Sequence, residues 1–285
     1  MNKLIIALAI ASTSAFRAPT SVVKPFRPAA AALDVESIKG SVAPADLGAT
    51  NQALYSWVGA AVGVAGLAKP AWLAEQTLGI ATNGATDVII RGSAMAALLL
   101  GARAGQESEA NAAKTALLWF GGWWYFLRGS TGVAGRTAAA CGLIALSAAR
   151  RSGGLWKFAT SLDTDGLSSI LPKNRDVTMQ NIVGMQMMGW GFALWFAPQL
   201  VTDSIMGEKA AVAAIALKGL AVNNLVLGGK VMAGTEDSAR TNGLIFFGAW
   251  TALSILAKNA GIASGQYLVP VIAWNAACAA YTVVS

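Results

Sequence analysis

The chain has 285 residues, of which 55% are hydrophobic and only 12% are charged. Because an ordinary soluble domain is about 25% charged, this composition excludes a single soluble core and indicates a membrane protein whose partner is the lipid bilayer. The net charge is +7. The Lys and Arg residues lie in short loops between apolar segments and not on one continuous patch, which excludes a nucleic-acid-binding surface and favours a role in membrane orientation.

Residues 1–15 have the composition of a signal peptide. Lys3 supplies a positive charge, an apolar stretch follows at 4–11, and small residues precede Phe16. The apolar stretch is too short to span a bilayer, so we expect it to be removed after targeting.

The segment at 16–50 is typical of a transit peptide followed by an N-terminal tail. It is rich in Ser, Thr, Pro and Ala, and no acidic residue occurs before Asp34. The junction at 12–19, with Phe16 at its centre, resembles the ASAFAP motif in the bipartite presequences of diatom-like algae with secondary plastids. This resemblance implies import by the secretory route and then into the plastid, and plain secretion is the alternative.

Eight apolar segments follow the presequence. None shows the strict alternation of barrel strands, so we predict an all-α membrane protein with about eight transmembrane helices. Gly and Ala are abundant in these segments, which allows close helix–helix approach in lipid. The segments are 53–68, 85–102, 115–128, 132–149, 179–197, 210–229, 242–258 and 266–284.

The two halves of the chain match each other after a shift of 127 residues. The matched pairs include charged, aromatic and glycine positions: Arg91 with Lys218, Gly92 with Gly219, Leu100 with Leu227, Gly101 with Gly228, Arg103 with Lys230, Glu109 with Glu236, Phe120 with Phe247, Gly121 with Gly248 and Trp123 with Trp250. We therefore predict tandem four-helix repeats at 51–152 and 179–285, joined by a linker at 153–178. Four is an even number, so the copies are expected to lie parallel, related by an axis along the membrane normal.

Each predicted repeat has a proline directly after its first helix, at Pro70 and Pro198. A four-helix unit with this feature is similar to the small membrane families of the DoxX type, which implies a four-helix membrane bundle in each half.

The basic residues favour one set of loops by twelve to four. The richer set holds Lys24, Arg27, Lys39, Arg103, Lys114, Arg150, Arg151, Lys157, Lys173, Arg175, Lys230 and Arg240, and the other holds Lys69, Arg128, Lys209 and Lys258. Loops rich in Lys and Arg stay on the side from which insertion occurs. We therefore expect both termini in the stroma, with the protein in the thylakoid or inner envelope membrane.

Two repeat-related cations, Arg91 and Lys218, are the best candidates for a functional site. An ionisable residue inside a span costs about 2.5–3.5 kcal/mol, which something must offset. Asp87 lies one turn before Arg91 and is expected to pair with it, while Asn223 and Asn224 share a helix with Lys218. The pattern has two interpretations: snorkelling towards an interface with polar contacts between helices, or a two-fold related pair of cationic sites for an anion, a lipid head group or an anionic substrate.

No cofactor is evident from the sequence. The run from Asp87 to Ala96 resembles the chlorophyll-binding helix of light-harvesting proteins, but Ile90 stands where the pigment ligand is expected. The many tryptophans predict interfacial belts and bundle packing, with a pigment or quinone as the alternative. With no histidine in the chain and only Cys141 and Cys278 as cysteines, no metal site and no catalytic constellation is predicted.

Three functions therefore stay open. The first is a plastid membrane protein that binds or passes a small anionic ligand or lipid. The second is a non-catalytic structural or assembly subunit of a thylakoid complex, with photosynthetic subunits as partners. The third is a membrane enzyme that acts on a quinone or lipid.

Overall fold

The computed structural model describes residues 44–152, 178–207 and 212–284, with side chains from residue 52 onward. These residues form ten helices and no strand, which confirms the all-α class. The helices are α1 (Pro44–Ala68), α2 (Pro70–Leu78), α3 (Gly84–Ala104), α4 (Glu109–Leu127), α5 (Gly132–Arg151), α6 (Met179–Phe196), α7 (Pro198–Ile205), α8 (Ala214–Met232), α9 (Glu236–Asn259) and α10 (Leu268–Val284). The signal peptide, residues 16–43 of the transit-like segment and nearly all of the linker lie outside the described residues.

Each of the eight apolar segments falls mainly within one of the long helices, so the helical prediction for them is confirmed. The two short helices, α2 and α7, were not predicted. They begin at Pro70 and Pro198, and proline is well suited to the first turn because that turn needs no backbone N–H donor. Each proline therefore ends one long helix and starts a short one that folds back over its own half.

The two halves of the bundle pair their helices in the same way. In the first half α1 packs on α3 and α4 on α5, and in the second half α6 packs on α8 and α9 on α10. The central contact joins α3 to α8. Glycines allow the closest approaches: a Cβ built on Gly59 of α1 would lie 2.5 Å from the Cα of Gly101, and one on Gly184 of α6 would lie 2.7 Å from the Gly228 carbonyl oxygen.

The helix ends separate into a charged end and an opposite end. At the charged end, the Gln52 side chain of α1 donates to the carbonyl oxygens of Gly105 (3.2 Å) and Glu107 (2.5 Å), in the loop between α3 and α4. Lys230 at the end of α8 joins the same cluster through Glu107. The short helices lie at the opposite end, because each follows a helix that starts at the charged end.

Of the ten described helices, three are long and apolar enough to cross a membrane by length and composition: α3, α5 and α8. The portions Gln52–Ala68 and Leu268–Val284 are also apolar but shorter. α3 and α8 are mostly covered by other helices, whereas α5 lies on the outside. This arrangement is compatible with a membrane protein whose two central helices are shielded by the rest.

Candidate functional site

Arg91 lies in the second turn of α3 and contacts the end of α1. Its Nη1 donates to the Leu67 carbonyl oxygen at 2.5 Å. The last carbonyls of a helix lack partners within that helix, so the guanidinium satisfies one of them. The predicted ion pair with Asp87 is absent among the described residues, and the prediction of that pair was wrong. The buried Oδ1 of Asp87 has no hydrogen-bond partner there.

Asp87 and Arg91 both line a cavity of about 290 Å³, which we call the Arg91 cavity. The other walls are almost wholly aliphatic and come from α1, α3, α9 and the segment after α9, with Leu67, Leu98, Leu253, Leu256 and Ile262 among them. A guanidinium binds oxyanions through pairs of N–H donors. The cavity can therefore receive a polar head group at one end and an apolar chain along its walls.

Lys218, the cation at the position matched to Arg91, does not line the Arg91 cavity. It is half-buried in α8, and its Nζ lies 5.9 Å from the centroid of the Phe126 ring, within range of a cation–π interaction. The structure thus places the two matched cations in different surroundings. Neither neighbouring asparagine is hydrogen-bonded to Lys218 among the described residues.

Asn223 is the centre of a buried hydrogen-bond network. Its Oδ1 accepts from the indole N–H groups of Trp119 and Trp123, both at 2.8 Å. Its Nδ2 donates to the carbonyl oxygen (3.0 Å) and hydroxyl (2.9 Å) of Ser93. The amide ties α8 to α3 and α4 and lines a cavity of about 110 Å³ in the first half, the Asn223 cavity.

Asn224, the next residue, faces the second half. It is 2% exposed, and its Oδ1 has no hydrogen-bond partner among the described residues. It lines a cavity of about 70 Å³, the Asn224 cavity, together with Thr202, Ser254 and Asn275. In the sequence, Asn224 is a candidate only as a neighbour of Lys218, and nothing marks the other three residues. Polar residues from four separate helices meet only in the fold.

A second polar cluster was also missed. Glu107 lies 2.9 Å from Lys230 and 3.8 Å from Arg103, and its Oε2 accepts from the Thr115 hydroxyl at 2.8 Å. The matched cations Arg103 and Lys230 therefore share one carboxylate. The i,i+4 spacing of Arg103 and Glu107 could have predicted their ion pair from the sequence, but not the contact with Lys230 on another helix.

No protein-family model, curated protein or solved structure matches this chain. The function therefore has to be inferred from the contacts of its own residues.

Proposed function

We propose that the chain is an eight-span integral membrane protein of a plastid that binds the head group of an anionic amphiphile in the Arg91 cavity. The single observation that carries this proposal is the placement of Arg91 and Asp87, together, on an otherwise aliphatic cavity. The membrane and plastid components rest on the composition, the outer surface and the N-terminal sequence.

The outer surface supports a lipid environment. Large apolar side chains project from helices in both halves, such as Trp57 (73% exposed), Leu143 (70%) and Phe196 (78%). Large exposed apolar patches on a protein mark a membrane or partner surface. In lipid these side chains need no further cover, and the five long helices beyond the three candidate spans then complete an eight-span bundle.

Reciprocal contacts between the halves support the proposed duplication. A side chain on Gly92 would meet the ring of Trp250, and one on Gly219 would meet the ring of Trp123. These are the same pair of positions, exchanged between the halves. The matched residues Thr86 and Ala213 also contact each other, through a 3.4 Å hydrogen bond from the Ala213 N–H. Such exchange is expected for parallel repeats around a two-fold axis along the membrane normal.

The charge distribution supports an orientation with both termini in the stroma, in the thylakoid or inner envelope membrane. The charged end of the bundle carries Arg103, Arg151, Lys230 and Arg240, whereas the opposite end carries Lys69, Arg128 and Lys258. The presequence resemblance supplies the plastid component of the proposal.

The chemistry of the Arg91 cavity suggests the ligand class. One N–H of Arg91 is used by Leu67, and a guanidinium has five, so others can bind an anionic oxygen. The unpartnered Asp87 Oδ1 can accept a hydrogen bond from a hydroxyl or amine beside that oxygen. A phosphate head group that carries a hydroxyl, attached to an acyl chain, fits both groups and the aliphatic walls.

Native mass spectrometry of the detergent-solubilised protein tests this proposal with phosphatidylglycerol, phosphatidylcholine and diacylglycerol as probes. We expect one phosphatidylglycerol to be retained in preference to diacylglycerol. Arg91→Gln should weaken retention at least about tenfold, since a charge-assisted hydrogen bond contributes roughly 1.5–3 kcal/mol. Lys218→Gln is the matched control, because this cation lies over Phe126 and should leave retention unchanged.

Equal losses in both variants, or no loss in Arg91→Gln, would contradict the proposed site. Co-migration of the protein with photosystem subunits on a native gel, without lipid selectivity, would instead favour the structural-subunit function.

A further inference from the structure

The Asn224 cavity carries a second inference, which is independent of the Arg91 cavity. It lies in the second half beneath α7, and its polar groups come from four helices: Thr202 of α7, Asn224 of α8, Ser254 of α9 and Asn275 of α10. The remaining lining is apolar or aromatic, and no charged side chain of the described residues lines it. We propose that this cavity binds the hydroxyl group of a neutral, lipid-soluble molecule, with the Asn224 Oδ1 as the acceptor.

The unpartnered acceptor is the observation that points to a ligand. A buried carbonyl oxygen without a hydrogen bond is costly, and most such groups in native proteins have a partner. Asn224 is 2% exposed and its Oδ1 has none among the described residues. The Thr202 hydroxyl cannot supply the missing donor while it donates to the Pro198 carbonyl oxygen at 2.8 Å. None of the donors among the described residues is hydrogen-bonded to the Asn224 Oδ1, and an incoming group can provide one.

In the Asn223 cavity of the first half, groups of the protein itself donate the hydrogen bonds that a buried asparagine oxygen needs. There, the indole N–H groups of Trp119 and Trp123 satisfy an asparagine oxygen. In the second half, Phe246 occupies the position matched to Trp119, and Leu220 the position matched to Ser93. Phe246 has no N–H and Leu220 no hydroxyl. Trp250, which matches Trp123, lines the Asn224 cavity but is not hydrogen-bonded to the Asn224 Oδ1 among the described residues.

The size and walls of the Asn224 cavity define the ligand class further. Its volume of about 70 Å³ exceeds what one water needs, roughly 10–15 Å³, and is below the ~150 Å³ cavity that encloses benzene. A hydroxyl and part of its ring can enter, while the rest of the molecule leaves through the open side. Trp190, Trp250 and Phe246 supply aromatic walls, and aromatic side chains pack well against rings. A phenol or a similar ring-bearing alcohol meets all of these conditions.

Fluorine NMR on the full-length protein in detergent tests the proposal with 4-fluorophenol and 4-fluorotoluene as probes. These molecules have nearly the same volume, but only the phenol has a donor. We expect saturable binding of 4-fluorophenol at least about tenfold tighter than that of 4-fluorotoluene, after subtraction of partition into empty micelles. Asn224→Leu should remove the preference, whereas Thr77→Val, on the wall of the Asn223 cavity, should preserve it.

The comparison of the two probes on the unaltered protein decides the question even if Asn224→Leu fails to fold. Equal affinity for both probes would overturn the proposal, because the cavity would then be only an apolar void. Absence of saturable binding would overturn it as well and would indicate that water satisfies Asn224. Tighter binding of 4-fluorobenzaldehyde than of 4-fluorophenol would show that the site offers a donor, and this too would overturn it.

Discussion

Asn223 and Asn224 are neighbours in α8, yet their side chains differ in hydrogen bonding. Both are 2% exposed, but Asn223 is bonded to Trp119, Trp123 and Ser93, whereas the Oδ1 of Asn224 has no partner among the described residues. Successive residues in a helix point about 100° apart, so the two amides face different halves of the bundle. Asn223 joins helices through its hydrogen bonds, and Asn224 keeps an acceptor that is not hydrogen-bonded.

The Asn223 and Asn224 cavities share a frame but differ in their polar contacts. The frame is the same in each, with a short helix over a cavity between long helices. At two matched positions the halves differ in polarity: Trp119 and Ser93 in one half are Phe246 and Leu220 in the other. Phe246 and Leu220 cannot make the side-chain hydrogen bonds that Trp119 and Ser93 make to Asn223.

Replacement of the bonded asparagine should have the largest effect. Asn223→Leu leaves the indole N–H of buried Trp119 and that of half-buried Trp123 without an acceptor, and a buried group of this kind costs about 1–3 kcal/mol. We expect a loss of roughly 3 kcal/mol in the free energy of unfolding, measured by tryptophan fluorescence during denaturation in mixed micelles. The matched variant Asn224→Leu should raise the unfolding free energy by about 1–3 kcal/mol in the absence of ligand, because it removes a buried acceptor that has no partner among the described residues. Similar losses in the two variants would show that both asparagines are structural.

The carboxylate cluster at the charged end offers the next comparison. Glu107→Gln removes the charge shared by Lys230 and Arg103, whose side chains are 16% and 12% exposed. We expect a loss of about 2 kcal/mol, since hydrogen bonds to charged groups contribute roughly 1.5–3 kcal/mol. The control is Glu236→Gln, because the exposed pair of Glu236 with Arg240 should contribute only about 0.5 kcal/mol. Chemical denaturation of both variants measures the difference, and equal losses would contradict a special role for Glu107.

The glycines that face tryptophans at the interface should show the smallest difference between the halves. Gly219→Ala presses on Trp123, which Asn223 holds in place, while Gly92→Ala presses on Trp250, beside the Asn224 cavity. Overpacking costs about 1–3 kcal/mol, depending on whether the neighbour can move. We expect Gly219→Ala to lower the unfolding free energy by about 1 kcal/mol more than Gly92→Ala.

Gly229→Ala is the control for this pair, because a Cβ at Gly229 has no neighbour within 4 Å and alanine favours the helix. Thermal unfolding of the three variants checks the order. A larger loss in Gly92→Ala would mean that Trp250 is the more rigid of the two rings.

The sequence alone determined the helical class, the eight long helices and the matched positions of the two halves. Hydrophobic segments of suitable length and the 127-residue register are local or periodic signals, and they do not depend on which helix packs on which. Pro70 and Pro198 marked where the long helices end, but the helices that start there were too short and too polar for the pattern to reveal.

Only the tertiary structure decided the partners of the polar side chains. The spacing of Asp87 and Arg91 allows an ion pair, but Arg91 bonds to a carbonyl oxygen 24 residues away, at the end of α1. Nothing in the sequence distinguishes Asn223 from Asn224. They differ because α8 packs between the two halves, so that one amide meets hydrogen-bond partners and the oxygen of the other does not. A hydrogen bond needs two atoms in contact, and for side chains on different helices that contact exists only after the helices have packed.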